Sequence, residues 1–268
     1  MPTYLPLDDP NDPRIAAYRD VREKDLVGRE GRFIAEGETV LRVLAGQDRH
    51  RPLSVLIAAK RRDKLEPILS TLPDAVPVYL ADQAVVDAVA GFPLHRGILA
   101  LAERAPEPAA DALLAGLQGR PALVMVLVGI ANHDNMGGLF RNAAAFGADA
   151  VLLDPTCCDP LYRKAIRVSV GGVLRVPFAR LEEGEDLVGL LDRRRLTSVA
   201  LSPAGETPLH RLEPIPRAAL LLGAEGPGLP EGLMARCRTV SIPMAAGFDS
   251  LNVAVTGGLA LHHLRTAG

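Results

Sequence analysis

Apolar and polar positions alternate with two different periods over the first hundred residues. Short apolar runs that suit strands cover residues 32–35, 53–58, 76–80 and 97–101. Helical periodicity covers residues 16–26 and 38–44 and a basic stretch that ends at Leu72. Strands that are separated by helices are typical of an α/β layer, and we predict one here.

The pattern changes after residue 104. Residues 105–110 read APEPAA, which is typical of an extended linker because proline disfavours helix in the residue before it. Residues 123–128 then form a continuous apolar run, as expected for a buried strand of a parallel sheet. Further strands are predicted at 150–153, 198–201, 219–222 and 239–242, and a closing apolar helix at 251–264. We therefore predict an α/β domain over 1–104, a linker over 105–119 and a second α/β domain over 120–268.

Composition and charge narrow the class of protein only slightly. The chain has 268 residues, of which 48% are hydrophobic, and this is enough for a substantial core. The formal net charge of −2 excludes a strongly basic nucleic-acid binder but permits local basic patches. Such clusters occur at Lys60-Arg61-Arg62, at Arg163-Lys164 with Arg167, and at Arg193-Arg194-Arg195. Taken alone, each cluster is more often a solvated helix face than a binding site.

The three cysteines, Cys157, Cys158 and Cys237, form no CxxC pair, so neither a disulfide framework nor a structural zinc site is expected. We interpret Cys157 and Cys158 as small buried residues. The amino-terminal residues lack the apolar segment of a signal peptide. The longest apolar run, residues 122–131, is shorter than the ~20 residues that a membrane span needs. We expect a cytoplasmic protein with no membrane partner.

Three segments of the second half place polar residues and glycines directly after predicted strands, where open α/β sheets bind ligands. The first segment, residues 132–141, reads NHDNMGGLFR. Within it, Asn135 is a candidate N-cap for the helix that follows. Arg141 lies nearly two turns later and would by itself be interpreted as a surface charge.

The second segment, residues 223–229, reads GAEGPGL. Its glycines permit close approach of a ligand or a positive φ, and the same pattern is typical of a tight turn that caps a helix. It is neither a Walker loop nor GxGxxG. The third segment joins residues 242–244, IPM, to residues 250–253, SLNV. Here Ser250 is a candidate cap of the last helix, Asn252 falls in its first turn, and nothing resembles the GxSxG of a hydrolase.

The combination and order of these segments resemble the SpoU/TrmH family of the SPOUT methyltransferase superfamily. The matching motifs are N-x-G-x-x-x-R after one strand, G-A-E-G-P-G-L after a later strand, and I-P-M with S-L-N-V near the end. The resemblance covers residues 121–266. Residues 33–38 resemble the opening strand and turn of the family's substrate-binding domain, which is related to a ribosomal-protein fold. Many family members carry Asp-Pro where this chain has Asn132-His133.

The resemblance implies an RNA 2′-O-ribose methyltransferase that uses S-adenosylmethionine. It implies an α/β fold in which a C-terminal parallel-sheet SPOUT domain with a deep trefoil knot follows a small α/β substrate-binding domain. It also implies a homodimer whose active site is completed across the interface, ribosomal or transfer RNA as the partner, and no metal. The residues carried over by motif are Gly223, Ile242, Met244 and Leu251 for the cofactor, and Asn135, Arg141, Glu225, Ser250 and Asn252 for catalysis.

Physical chemistry bears on the role of Arg141. A ribose hydroxyl is a poor nucleophile until its proton is removed or shared. Family proposals make the arginine the base, but a guanidinium with a pKa above ~12 is a poor base at neutral pH. We therefore expect Arg141 to orient the substrate phosphate and stabilise the developing alkoxide. The sequence does not separate these two roles.

Two other functions fit parts of the sequence. A non-catalytic RNA-binding protein could keep the methyltransferase fold, and the presence of all five catalytic-motif residues argues against it. A nicotinamide-dependent oxidoreductase shares the α/β layering. It needs an early G-x-G-x-x-G and an acidic residue ~20 positions later, and neither is found.

Overall fold

Residues 2–19, 23–28, 30–94, 97–246 and 251–266 are described by the computed structural model. The chain forms two units. The first consists of Met1–Pro106 together with Leu161–Arg175, and the second of Glu107–Pro160 together with Val176–Gly268. The chain therefore passes between the units at residues 106–107, 160–161 and 175–176.

In the described part of the first unit, five strands form a mixed sheet. The strands are β1 (Thr3–Leu7), β2 (Arg32–Glu36), β3 (Arg51–Ala58), β4 (Pro77–Ala81) and β5 (Ile98–Glu103), in the spatial order β1-β4-β3-β5-β2. β1, β4 and β3 run parallel, whereas β5 is antiparallel to β3 and β2. The helices are α1 (Glu23–Gly28), α2 (Glu38–Ala45), α3 (Arg62–Leu69), α4 (Gln83–Ala90), α7 (Arg163–Val168) and α8 (Gly172–Arg175), and 3₁₀ turns cover Pro13–Tyr18 and Ala59–Arg61.

Residues 161–175, which carry α7 and α8, are held to the first unit by polar contacts. Arg163 Nε donates to Glu36 Oε2 at 2.9 Å, and both side chains are largely buried. Arg49 Nη2 donates to the carbonyl of Val173 at 3.0 Å. The sequence-based division places this segment in the second domain because it lies between two predicted strands of that domain. The position of residues 161–175 along the chain does not reveal that they contact Glu36 and Arg49 of the first unit.

In the described part of the second unit, seven strands form a fully parallel sheet. The strands are β6 (Ala122–Val128), β7 (Ala150–Leu153), β8 (Phe178–Arg180), β9 (Thr197–Leu201), β10 (Thr207–Pro208), β11 (Arg217–Gly223) and β12 (Arg238–Ser241). Their spatial order is β10-β12-β9-β11-β6-β7-β8. The helices are α5 (Ala110–Ala115), α6 (His133–Ala145), α9 (Leu187–Arg193), α10 (Glu231–Met234) and α11 (Val253–Thr266), with a 3₁₀ turn at Leu209–Arg211. The predicted parallel sheet of the second half is therefore confirmed.

The centre of this sheet explains the long apolar run in the sequence. β6 and β11 are neighbours, and each has strands on both sides. Consecutive residues of both strands are buried, so side chains on both faces of the sheet are shielded from solvent. Val124, Val126, Leu220 and Leu221 are all fully buried.

Helix α5 lies inside the predicted linker of residues 105–119. Its Leu114 is fully buried, and Leu117 just after it is 6% exposed, so both belong to the core beneath the parallel sheet. Extended backbone without regular structure is confined to residues 104–109. The proline signal therefore marks the passage between the units, but the stretch it marks is shorter than predicted.

Candidate active site

The carboxyl ends of β9, β11 and β12 share one edge of the parallel sheet, and a cavity of about 630 Å³ opens there. Three stretches of chain form its wall, and they follow these three strands. The lining residues are Leu201, Ser202, Pro203, Leu222, Gly223, Ala224, Glu225, Gly226, Gly228, Ile242, Met244, Leu251, Asn252, Val253 and Thr256. The wall is largely apolar, and among its described residues Glu225 is the only charged one. All four residues predicted to bind the cofactor thus line one cavity.

Asn252 connects the three sequence motifs. It directly precedes α11, and its Oδ1 accepts hydrogen bonds from Ala254 N at 2.9 Å and Val255 N at 3.3 Å, as a helix N-cap does. Its Nδ2 donates to Asn135 Oδ1 at 2.8 Å and to Glu225 Oε1 at 3.1 Å. Because one side of the amide faces backbone donors and the other faces acceptors, its orientation is fixed. The side chain therefore caps a helix and joins two distant loops at once.

Asn135 is not the cap of α6. The cap is Asn132, whose Oδ1 accepts from Asp134 N at 2.8 Å, so the N-cap interpretation of Asn135 is wrong. Asn135 lies in the first turn of the helix and is only 6% exposed. Asn252 donates to the Oδ1 of Asn135, and no acceptor for the Nδ2 of Asn135 is found among the described residues. An aspartate at position 132 would cap the helix as well as Asn132 does.

Gly223 is required by the loop itself. A Cβ at this position would collide with the backbone of Gly228 and Leu229, because Gly228 N turns back to donate to Ala224 O at 3.0 Å. Gly226 and Gly228 have φ values of +88° and +69°, which favour glycine. A larger side chain at position 223 would therefore deform the loop before it reached any ligand. The sequence suggests the ligand as the reason for this glycine, but the first constraint is the protein's own turn.

Arg141 is not brought to the cluster formed by Asn135, Glu225 and Asn252. It is exposed on α6 and does not line the cavity. Six residues turn an α-helix by about 600°, so Arg141 points roughly 120° away from Asn135 around the helix axis. Ser250, the remaining predicted catalytic residue, lies outside the described residues.

Helices α6 and α11 pack closely through small residues. A Cβ on Gly138 would come within 2.8 Å of Ala254 Cβ, and one on Gly257 within 2.8 Å of Leu139 Cδ2 and 2.9 Å of Leu222 Cδ1. Asn142 Nδ2 donates to Ala254 O at 2.6 Å. This packing sets the position of the first turn of α11, and so of Asn252.

Sequence reasoning missed the part of the wall that follows β9. Leu201, Ser202 and Pro203 line the cavity beside the predicted cofactor residues. The signal was present, because a Ser-Pro turn follows the predicted strand at the same edge of the sheet. Thr256, one turn into α11, was also missed, and no pattern in the sequence distinguishes it.

The cysteines have no place in this site. Cys157 Sγ donates to Leu127 O and accepts from Ile130 N, both at 3.3 Å, and burial raises the pKa of its thiol to about 12. The interpretation of Cys157 as a small buried residue is confirmed, whereas Cys158 is half-buried.

Comparison with known proteins identifies the family. The sequence model described as the SpoU rRNA methylase family matches residues 122–262, more than half of the chain. The chain belongs to this family. As a SpoU methylase it is a methyltransferase, and the matched region spans β6 to α11 and therefore the whole cavity.

Individual relatives agree with this family. The chain is 39% identical, over 97% of its length, to an uncharacterized tRNA/rRNA methyltransferase of Mycobacterium tuberculosis, of which it covers 91%. It is 31% identical, over 77% of its length, to the 23S rRNA (guanosine-2′-O-)-methyltransferase RlmB of Ralstonia nicotianae, of which it covers 84%. An AdoMet-bound rRNA methyltransferase from Sinorhizobium meliloti matches with a TM-score of 0.82 at 21% identity, with 98% of both chains covered. That likeness shows a shared fold.

The described residues contain neither a cluster suited to a metal ion nor a helix suited to a membrane. No group of three or more histidine, cysteine, aspartate or glutamate side chains there could hold a metal ion. Among the same residues, no helix is both long enough and apolar enough to cross a membrane.

Proposed function

We propose that this SpoU methylase transfers a methyl group from S-adenosylmethionine to a ribose 2′-hydroxyl of ribosomal or transfer RNA. The observation that carries the proposal is the Asn252 amide, which joins Asn135 and Glu225 at the rim of an apolar cavity. The RNA substrate and the position of the methyl group rest on the motif resemblance and on the similarity to the RlmB relative.

The cavity fits the cofactor. About 630 Å³ lies within the range of ~300–1,000 Å³ that is typical of small-molecule sites. The side chains of Ile242, Met244 and Leu251 offer an apolar surface to a purine ring, and the loop at Gly223 offers backbone groups. The carboxylate of Glu225 suits a ligand that carries a positive sulfonium. The bound cofactor would supply an electrophilic methyl group.

The side chains around the cavity would act on the substrate. Asn252 holds the Asn135 amide in place, which leaves Asn135 Nδ2 to donate to a substrate oxygen. Arg141 would orient the substrate phosphate and stabilise the alkoxide that develops as the hydroxyl reacts. Glu225 and Ser250 complete the set of residues proposed to position the substrate.

Because Arg141 lies outside the cavity of its own chain, we propose that a second protomer completes the site in a homodimer. An apolar stripe on α11 supports this interface. Val255 and Leu259 lie one turn apart on α11 and are 52% and 47% exposed. Large apolar side chains in a continuous exposed row are typical of a protein–protein interface.

The remaining parts of the proposal follow the resemblance. The C-terminal parallel-sheet domain would contain a deep trefoil knot. The first unit would bind RNA, and the exposed Lys60 and Arg62, which follow β3, are candidates for phosphate contacts. Arg163 is less suited to this role, because its charge is matched by Glu36 at 2.9 Å. A cytoplasmic location agrees with an RNA substrate.

Two asparagine-to-aspartate variants test the central observation. Asn252→Asp keeps an acceptor for the helix cap but replaces the donating Nδ2 with an oxygen that faces Asn135 Oδ1 and Glu225. We expect methyl transfer to fall by about 10² or more, as for the loss of a positioning donor, while the protein stays folded. Asn132→Asp is the matched control, since Asn132 caps α6 without donating to either residue, and its activity should be unchanged.

The assay is transfer of labelled methyl from S-adenosylmethionine to ribosomal and transfer RNA, followed by mapping of 2′-O-methyl sites. If wild-type protein binds RNA and cofactor but transfers no methyl group, the non-catalytic RNA-binding function replaces the proposal. Equal activity of the two aspartate variants would remove Asn252 from the site.

A further inference from the structure

A second cavity, of about 380 Å³, lies at the edge of the second unit's sheet where the parallel strands begin. The starts of β9 and β12 and the end of α9 form its wall, so it is at the opposite end of these strands from the cofactor cavity. Its lining residues are Asp192, Arg195, Leu196, Thr197, Ser198, Arg236 and Arg238. Three guanidinium groups and one carboxylate make the wall net positive.

Arg195 adopts a backbone conformation that its residue type disfavours. Leu196 N donates to Leu191 O and Arg195 N to Asp192 O, which is the Schellman ending of a helix with Arg195 at the position that usually holds glycine. Its φ is +55°. Helix α6 ends in the same way with Gly147, whose φ is +69°. An arginine in place of glycine costs stability, and such strain persists at sites where the side chain has another use.

Ser198 supplies a second, independent observation. It lines the same cavity and is only 6% exposed, and its Oγ has no hydrogen-bond partner among the described residues. A buried hydroxyl without a partner is unfavourable, so it indicates a group that is supplied from outside the chain.

The charges of the wall are only partly matched within the chain. Arg236 forms a two-pronged ion pair with Asp186, at 2.7 and 3.2 Å. For Arg195 and Arg238, both exposed, the described residues provide no ion pair. Two guanidinium groups therefore remain to bind an anion.

We propose that this cavity binds a phosphate group, and that the phosphate belongs to the RNA backbone. A phosphate presents several acceptor oxygens, which suits guanidinium forks and a hydroxyl that approach from different sides. Backbone phosphates recur along RNA whatever its sequence, so the contact would anchor RNA without reading bases. The assignment to RNA rests on the proposed function, whereas the phosphate site itself does not.

Arg195→Gly tests the site, because glycine suits the φ of +55° and only the guanidinium is lost. In the full chain, we expect affinity for inorganic phosphate, measured by calorimetry or NMR titration, to fall by about tenfold or more. The Tm should stay the same or rise, which excludes damage to the fold as the cause. Arg211→Ala removes an exposed arginine of the same unit outside this cavity, and it should change neither value.

RNA binding tests the source of the phosphate. For Arg195→Gly combined with Arg238→Ala, we expect the slope of log affinity against log salt concentration to shrink by about one to two, equally for RNAs of different sequence. S-adenosylmethionine affinity should not change.

Loss of phosphate binding with an unchanged salt slope supports the site but assigns it to a small phosphorylated ligand instead of RNA. Equal phosphate affinity in wild type and Arg195→Gly, or no saturable binding by wild type, overturns the proposal. Absence of methyl transfer while phosphate binding is intact counts against the proposed function alone.

Discussion

Arg141 stands apart from the residues with which it is predicted to act, and its chemistry can be tested directly. If it only supplies charge, Arg141→Lys should keep partial activity. If its planar fork holds both phosphate and nucleophile, lysine cannot reproduce the geometry. We predict that Arg141→Lys and Arg141→Ala are similarly inactive, with kcat lower by about 10²–10³ in single-turnover methyl transfer. Cofactor affinity should barely change, since Arg141 lies outside the cavity.

Two results would contradict this prediction in different ways. Near-normal transfer by Arg141→Ala would remove its catalytic role. A large loss of cofactor affinity would instead place Arg141 in contact with the cofactor.

His50 links stability to pH in the first unit. It is 3% exposed, packs edge-on against Phe33 at 5.2 Å between ring centres, and accepts from Ala105 N at 3.1 Å. Burial, together with the charges of Arg49 and Arg104, lowers its pKa from 6.5 to about 4. The unfolded chain therefore binds a proton at a higher pH than the folded protein does. The stability that His50 contributes is complete above pH 6.5 and is lost as pH falls towards 4.

We predict that the free energy of unfolding of wild type falls by up to about 3 kcal/mol more than that of His50→Gln between pH 7 and pH 4. Urea unfolding at several pH values measures this difference. His210→Gln is the control, because His210 is exposed and its replacement should leave the wild-type pH profile unchanged. Parallel profiles for wild type and His50→Gln would show that the imidazole does not titrate in this range.

At the level of single residues, the sequence predicts which side chains lie near one another but not which hydrogen bonds they form. Six of the nine predicted site residues line the cavity, and Asn135 joins them through Asn252. The sequence pattern does not show that Asn132 caps α6 and Asn135 does not, since either asparagine suits an N-cap. Asn252 could not be recognised as a connector, because its partners are 117 and 27 residues away.

Among the secondary structure elements, the α6–α11 pair has the most direct effect on the site. Gly257 faces the terminal methyl groups of the buried Leu139 and Leu222, which an added methyl group would have to displace within the core. We predict that Gly257→Ala lowers the free energy of unfolding by about 1–2 kcal/mol, because overpacking exceeds the gain in helix propensity. Methyl transfer should fall as well, since α11 carries Asn252 at its start.

Gly232→Ala provides the comparison for this prediction. Gly232 lies in α10 with no atom near the added methyl group, so the substitution should be neutral or slightly stabilising. Denaturant unfolding of both variants gives the free energies. If the Gly257→Ala protein is as stable and as active as wild type, the packing of α6 against α11 accommodates the added methyl group without a loss of free energy.

Strand prediction succeeded inside the second unit's sheet and failed at three edge strands, whereas the edge strand β2 of the first unit was predicted correctly. The apolar runs at β6, β7, β9, β11 and β12 predict those strands to within about two residues. β8 and β10 have three and two residues, too few for a periodic signal, and both lie at sheet edges. β1 contains Pro6, which breaks the pattern and is tolerated because this strand is also at an edge.

For the whole molecule, the proposed dimer predicts complementation between two inactive variants. Arg141→Ala damages the residue that one protomer would lend, and Asn252→Asp damages the cavity that would receive it. Co-expression of the two should restore about a quarter of wild-type activity, since half of the dimers are mixed and each has one intact site. Separately purified variants assayed alone provide the baseline. If co-expressed variants stay at that baseline, Arg141 and Asn252 act within one chain.

The two-part organisation could be predicted only in outline. A composition change near residue 105 marks the first passage between the units, and Pro106 and Pro108 make it visible. At the second and third passages, around residues 161–175, Pro160 and Pro177 are single prolines without a change in composition, so they do not distinguish a passage from an ordinary turn. This segment belongs to the first unit through contacts such as Arg163 with Glu36, which pair residues 127 positions apart.

This arrangement has a consequence for protein synthesis. When residue 106 leaves the ribosome, the first unit still lacks α7 and α8, and Glu36 has not met Arg163. Residues 107–160, with strands β6 and β7 of the other sheet, must be translated before residues 161–175 emerge. We therefore expect the amino-terminal unit to mature only after residue 175 has emerged, and we expect neither unit to be exchangeable between homologues as a contiguous segment. An exchange of the first unit between homologues would have to include residues 161–175 together with residues 1–106.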